Sequence, residues 1–140
     1  MGKMPTPVCL FVVKVPDIDT IGLFTSCSGL EIKVDVLEYA EGGNNEFIHQ
    51  LPGQVSYPNL ILERGLTNED AVLKWFNATR TQAELKEVTI TFQTHTQQPI
   101  RTFTFADAFP VRWSGPTSRA GESAIALETL EIAHSGMKGM

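Results

Sequence analysis

The sequence predicts a mainly β domain, an antiparallel sandwich or barrel of about seven strands that carries one α-helix. Three observations predict it. Apolar and polar residues alternate in several short runs, the period of a strand with one buried face. Only the stretch around Trp75 repeats apolar residues at helical spacing. Strand-like runs follow one another without intervening helices, so a parallel βαβ sheet is not expected.

The elements follow in chain order. Residues 1–7 read as a loose arm. Residues 8–15 form an apolar, β-branched run flanked by prolines, the mark of a buried strand. The apolar stretch is too short to span a bilayer, and Pro16-Asp17 stand where a signal peptide would need small residues. Residues 16–22 are a turn-rich connection. From Leu30 the alternation is clear: Leu30, Ile32, Val34 and Val36 are expected on a buried face, and Glu31, Lys33 and Asp35 on a wet one.

Residues 39–45, with Gly42, Gly43, Asn44 and Asn45, mark a turn or exposed loop. Residues 47–51 resume as a short strand that is expected to end before Pro52-Gly53. Residues 42–57 are thus a long, extended excursion, and such excursions in small domains tend to be functional. A strand over residues 59–63 stops at Gly65. Thr67 or Asn68 then caps a helix, with Glu69 and Asp70 in its first turn, reaching about Thr79. Val72, Trp75, Phe76 and Thr79 share its packing face.

Val88, Ile90 and Phe92 alternate with Thr89, Thr91 and Gln93, and Arg101, Phe103 and Phe105 alternate with Thr102 and Thr104. Residues 97–99 turn between these two strands, and residues 109–113 form another. Residues 115–121 are a small-residue loop. Residues 123–134 close the domain as a strand whose apolar phase slips between Ile125/Leu127 and Leu130/Ile132. The slip predicts a bulge near Glu128 or Thr129, or a strand that passes from one sheet to another.

Composition bounds the function. The chain has 140 residues, with 42% hydrophobic and 19% charged, which suits a single domain with a real core. The formal net charge is −5, and its 11 Lys and Arg are scattered among acids, so no basic patch for nucleic acid is expected. Cys9 and Cys27 read as buried thiols in a reducing compartment, with a single disulfide as the other reading. His49, His95 and His134 lie far apart and form no metal-spaced cluster.

No enzyme signature is present. Gly42-Gly43 precede Asn44-Asn45, not the Lys-Ser/Thr of a phosphate loop, and no Gly-x-Ser-x-Gly elbow occurs. Ser26, Cys27 and Ser28 have no base assigned by spacing. Glu128 and Glu131 are three apart, on opposite faces of a regular strand. No catalytic, metal-binding or cofactor-binding residue is therefore expected. The small polar faces of Thr89/Thr91/Gln93 and Thr102/Thr104 suit either bulk water or an aqueous channel.

Several blocks, in order, resemble the tail-tube family of contractile phages and related contractile injection systems. They are Phe24-Thr-Ser-Cys-Ser-Gly-Leu-Glu31, Tyr39-Ala-Glu-Gly-Gly43 with Leu51-Pro-Gly53, Asn59-Leu-Ile-Leu-Glu-Arg-Gly65 followed by Trp75, Ala108-Phe-Pro-Val-Arg-Trp113, and Glu128-Thr-Leu-Glu-Ile-Ala-His134. The resemblance covers roughly residues 8–136 and looks closer to the extracellular-type systems. It implies a tail-tube, Hcp-like fold that contributes strands to an inter-subunit barrel. Hexameric rings would stack into a hollow tube driven through a target envelope by a contracting sheath.

The implied partners are further copies of the chain, the sheath, baseplate, hub and cap proteins, and luminal protein cargo, with no nucleic acid. The assembled particle, not the single chain, would meet the target membrane. Assembly in the bacterial cytoplasm would precede release or anchoring. On this basis Gly42, Gly43, Asn44, Asn45, His49, Glu63 and Arg64 are candidate assembly contacts. Glu31, Lys33, Asp35, Thr89, Thr91 and Gln93 are candidate lumen residues. The alternatives are a type VI secretion tube protein and a monomeric β-sandwich that binds carbohydrate or peptide.

Overall fold

The structure, a computed structural model, describes residues 10–16, 18–39, 48–66, 70–81, 85–115 and 126–138. The arm, Cys9, Gly42, Gly43, Asn44, Asn45, the caps Thr67 and Asn68, and the 116–125 loop lie outside them. The elements are β1 (Leu10–Val15), β2 (Asp19–Phe24), β3 (Ser26–Ser28), β4 (Lys33–Tyr39), β5 (His49–Ser56), β6 (Leu60–Gly65), α1 (Ala71–Thr81), β7 (Lys86–Gln93), β8 (Pro99–Ser114), β9 (Leu127–Ala133) and β10 (Gly136–Lys138). The domain is therefore mainly β with one described helix, as the alternation predicts.

An eight-stranded antiparallel sheet has the order β2-β1-β7-β8-β9-β6-β3, with β10 also pairing β8. Its two ends, β2 and β3, are separated in the chain only by Thr25. The sheet must therefore curl over so that its ends approach, and β2 also packs near β6. No closed barrel results, because β2 and β3 continue one another without forming a ladder. Side chains from the concave faces converge on one core of Val13, Val15, Ile21, Phe24, Leu60, Leu62, Val88, Ile90, Phe105, Leu130 and Ile132.

Helix α1 covers this core with Val72 and Trp75, which are buried, while Phe76 packs at its margin. The amide of Lys74 donates to the Asp70 carbonyl (2.9 Å), so Asp70 stands at the helix start and not inside its first turn. Trp75 has no exposed surface, and its large ring fills the space between the helix and the sheet core.

Several strand boundaries differ from expectation for identifiable reasons. Residues 19–22 are not connection but the start of β2, with Gly22 at φ 141° beside a register shift. The expected strands at 101–105 and 109–113 are one strand, β8. It pairs with β7 and β10 early and with β9 late, and Asp107 at φ 51° lies near the change of partner. An Asp tolerates that left-handed conformation better than most residues.

The expected bulge near Glu128 is absent. The β6–β9 ladder runs without a shift from Leu60↔Ile132 to Gly65↔Leu127, and the irregularity lies on β8 between Pro110 and Arg112. The strand that changes partners is β8, not the closing one. The apparent phase slip arises because Glu128, and not Leu127, faces the core with Leu130 and Ile132.

The largest departure is β4. It pairs only with β5, in a separate two-stranded ribbon, and neither strand makes a substantial contact with any other described element. The face expected to be buried is open: Val36 is 58% exposed, and Ile32 and Val34 are exposed as well. Strand β5 also runs straight through Pro52-Gly53. A proline is tolerated there because a two-stranded ribbon leaves one edge of each strand unpaired.

Candidate assembly interface

The ribbon is rooted in the β3–β6 pair. From Ser28↔Ile61, five steps outward along each strand lead to Lys33↔Ser56, so the two ladders share one register across an interrupted joint. Gly29 sits at that joint with φ 93°, and a Cβ there would collide with the Asn59 carbonyl. Only glycine permits both that backbone conformation and that approach. The chain thus leaves the sheet at a point fixed by a backbone contact.

Along the ribbon, Val34↔Val55, Val36↔Pro52, Leu37↔Leu51 and Tyr39↔His49 face one another across the strands. Between the first two pairs, Gly53 and Gln54 oppose Asp35 alone, a bulge that raises the local twist. Tyr39 stacks on His49 with ring centroids 5.4 Å apart and an interplanar angle of 25°. Val34, Val36, Leu37, Tyr39, Leu51 and Val55 are all exposed, with Leu37 at 56%. An exposed apolar surface of this kind, with no packing partner among the described elements, is characteristic of an interaction surface.

The expected site residues fall on different parts of the molecule. His49 lies on β5 as Tyr39's stacking partner. Glu63 lies on the outer face of β6, where its carboxylate accepts a hydrogen bond from Thr129 Oγ1 (3.4 Å). Glu31, Lys33 and Asp35 belong to the ribbon or its approach, whereas Thr89, Thr91 and Gln93 belong to the outer face of β7. The structure therefore does not bring the two lumen groups onto one surface. On β7 and β8, Thr91 and Thr102 are direct partners with their hydroxyls 3.2 Å apart.

Arg64 is placed inside the protomer, at 3% exposure, which leaves it no surface to offer a neighbour. Its inward direction follows from strand period: Leu60, Leu62 and Arg64 share a face. Its cross-strand partner is Glu128, also buried, with Nε–Oε2 at 3.2 Å. Arg64 Nη1 donates to the Ile21 carbonyl (3.2 Å), and its guanidinium lies 4.6 Å from the centre of the Phe24 ring. Trp113 Nε1 donates to Glu128 Oε1 (2.8 Å). This buried charge pair ties β2, β6, β8 and β9 together.

Sequence reasoning also missed His134. It lies between Tyr57 and Phe105, with centroids 5.5 and 4.8 Å away. Burial pushes its imidazole below the ordinary 6.5, against smaller upward effects of the Pro58 and Gly136 backbone. Burial likewise pushes the Cys27 thiol up to about 11, which makes it a poor nucleophile at neutral pH. Among the described residues, no group of three or more His, Cys, Asp or Glu is arranged to hold a metal ion, and no helix is long and apolar enough to cross a membrane.

The family model of the T4-like virus tail tube protein gp19 matches residues 7–138. The chain belongs to that family. Among solved structures, this tail tube protein is similar to a chain of the anti-feeding prophage tube-terminating cap. The two share 28% identity and a TM-score of 0.81 over 99% of this chain and 92% of that one. It is also similar to a chain of the sheath–tube complex of an extracellular contractile injection system, PVC, in the extended state. There the identity is 29% and the TM-score 0.79, over 96% and 90% of the chains.

Hcp1 from Flavobacterium johnsoniae shares the fold, at 15% identity and a TM-score of 0.52 over 94% and 96% of the chains. The search of curated protein sequences gave no match.

Proposed function

We propose that this tail tube protein is the protomer of the inner tube of a contractile injection system, closest in kind to the extracellular ones. Protomers assemble as hexameric rings, and the rings stack into a hollow tube that a contracting sheath drives through a target envelope. The role is mechanical, and the chain supplies no catalysis. Baseplate, hub, cap and sheath proteins are its partners, and protein cargo travels in the lumen. Assembly takes place in the bacterial cytoplasm, before the particle is released or anchored.

The observation that carries this reading is the β4–β5 ribbon, apolar, exposed and without substantial packing on any other described element. A monomeric binding module has no use for such a ribbon, whereas a repeating head-to-tail assembly covers it in every copy. The identities of 27–29% to chains from extracellular particles favour that class over the type VI tube, where matches of 11–16% support the fold alone.

Of the two candidate lumen surfaces, the β7 face with Thr89, Thr91 and Gln93 is the one we assign to the wall. It is a paired strand surface of uncharged polar side chains, with Thr91 opposite Thr102, and the ribbon carrying Lys33 and Asp35 is separate from the sheet. Negative-stain microscopy and sedimentation velocity of the purified protein test the reading. Rings or tubes with a central hole support it, and a strictly monomeric species at high concentration under several salt conditions refutes it.

A further inference from the structure

The inward phase of β9 places the imidazole of His134. Leu130, Ile132 and His134 alternate onto the core side, so the ring closes one end of the core just past the strand. Phe105 meets it edge-on, with centroids 4.8 Å apart and planes at 65°. Tyr57 lies against it at 5.5 Å. Both ring nitrogens are buried and, among the described residues, neither makes a hydrogen bond. The backbone at Pro58 and Gly136 comes near without hydrogen-bond geometry. A phenylalanine would fill this place and leave no buried N–H unsatisfied, so the polar ring calls for a reason.

The reason lies in what His134 seats. Tyr57 follows Ser56, the last residue of β5, and opens the link to β6. Its ring is pressed on Gly136 of β10, where an added Cβ would lie 3.1 Å from Tyr57 Cε2. The β4–β5 ribbon makes no substantial contact with another described element, so it is held at its root. On the β4 side the hold is the Gly29 approach to the Asn59 carbonyl. On the β5 side it is Tyr57 on His134 and Gly136. Strand β10 is itself a short attachment, paired with β8 over Gly136–Lys138 and by the Ser135 amide donating to the Ala106 carbonyl (2.9 Å).

We propose that His134 is an acid-released latch: neutral, it seats Tyr57 against Phe105 and Gly136, and protonated, it releases Tyr57 and β10 together. The ribbon then loses one of its two root attachments. No counter-charge is in place for the imidazolium. The titratable group touching the ring is the Tyr57 phenol. The nearest charged residues on the packed elements are engaged elsewhere or open to water. Glu131, on the outer face of β9, accepts from Asn59 Nδ2 (2.8 Å), Lys138 on β10 pairs with Glu87 (3.4 Å), and Asp107 on β8 is exposed.

A charged ring is therefore costly in the closed state and solvated in the released one. Burial holds the closed-state pKa below the ordinary 6.5, so the released state takes the proton first. Release grows by about tenfold for each pH unit between 6.5 and the closed-state value. The latch is a property of the single chain and does not depend on what covers the ribbon.

The test is hydrogen–deuterium exchange of the full chain, read by mass spectrometry at about pH 7.5 and about pH 5, at a concentration where assembly does not contribute. Rates are corrected for intrinsic exchange at each pH. Peptides over residues 56–60 and 134–138 are expected to exchange at least about fivefold faster at the lower pH, while those of β1 and β7 hold. His134→Phe, or His134→Gln should it fail to fold, is expected to abolish the difference. Tyr57→Ala, with Tyr57→Leu as its substitute, is expected to leave 134–138 fast at both pH values. The inference is overturned if the wild-type rates do not change with pH, if the change persists in the His134 variant, or if β1 and β7 accelerate equally, which is global unfolding. A Tyr57 variant that keeps 134–138 as protected as wild type at both pH values overturns it too.

Discussion

Replacing Glu128 with Ala removes the carboxylate paired with the Arg64 guanidinium, which is 3% exposed. It also removes the acceptor that Trp113 Nε1 uses at 2.8 Å. Breaking a buried ion pair from one side costs about 3–5 kcal/mol, because the remaining charge is left uncompensated. An unsatisfied indole N–H adds up to about 1–3 kcal/mol. Water entering the vacated space offsets part of the sum, so about 3–5 kcal/mol is the expected loss.

For a chain of 140 residues, that corresponds to a fall of about 10–20 °C in Tm. The assay is thermal and urea unfolding followed by circular dichroism, at a concentration where assembly does not contribute. The double variant Arg64→Leu/Glu128→Gln removes both charges yet leaves an acceptor for Trp113. It should recover most of the loss, since uncharged replacements of buried pairs are often neutral. Should E128A alone lie within about 1 kcal/mol of wild type, the pair would not be the buried tie between strands described above.

Three further outcomes follow from the same geometry. Trp75→Ala should cost about 3–5 kcal/mol in a urea titration, because the ring is wholly buried and its removal leaves a cavity beneath α1. Gly29→Ala should leave a folded core but impair assembly measured by light scattering, since the Asn59 carbonyl must move and the ribbon's exit with it. His134 is held below its unfolded value of 6.5, so the unfolded chain binds the proton more readily. Stability should therefore fall as pH drops from 6.5 towards the lowered folded value. His134→Phe should flatten that dependence in urea midpoints taken across the range.

The regular parts of the fold were legible because burial imposes period two on them. Val88, Ile90 and Phe92, the Trp75 helix face and the Leu60–Leu62 run all lie where alternation or helical spacing puts them. The same rule misled on β4. Alternation marks a strand with an apolar face, but it does not say whether the cover comes from the same chain or another. Val34 and Val36 look like core in the sequence and are bare in the protomer.

Arg64 and Glu128 show the opposite failure. Their charges suggested surface, yet each continues the inward phase of its own strand. That phase places both side chains inside the protomer, and the β6–β9 register then makes them partners. His134 had no such signal, since its neighbours Tyr57 and Phe105 are distant in sequence and meet only through the fold.

The most direct test is a cryo-EM map of the assembled protein at a resolution that traces the ribbon. The account predicts a hollow tube of stacked sixfold rings. Val34, Leu37, Leu51 and Val55 of each ribbon, exposed in the single chain, should be covered by neighbouring copies. A particle without stacked rings, or a tube in which β4 and β5 stay bare to solvent, would contradict it.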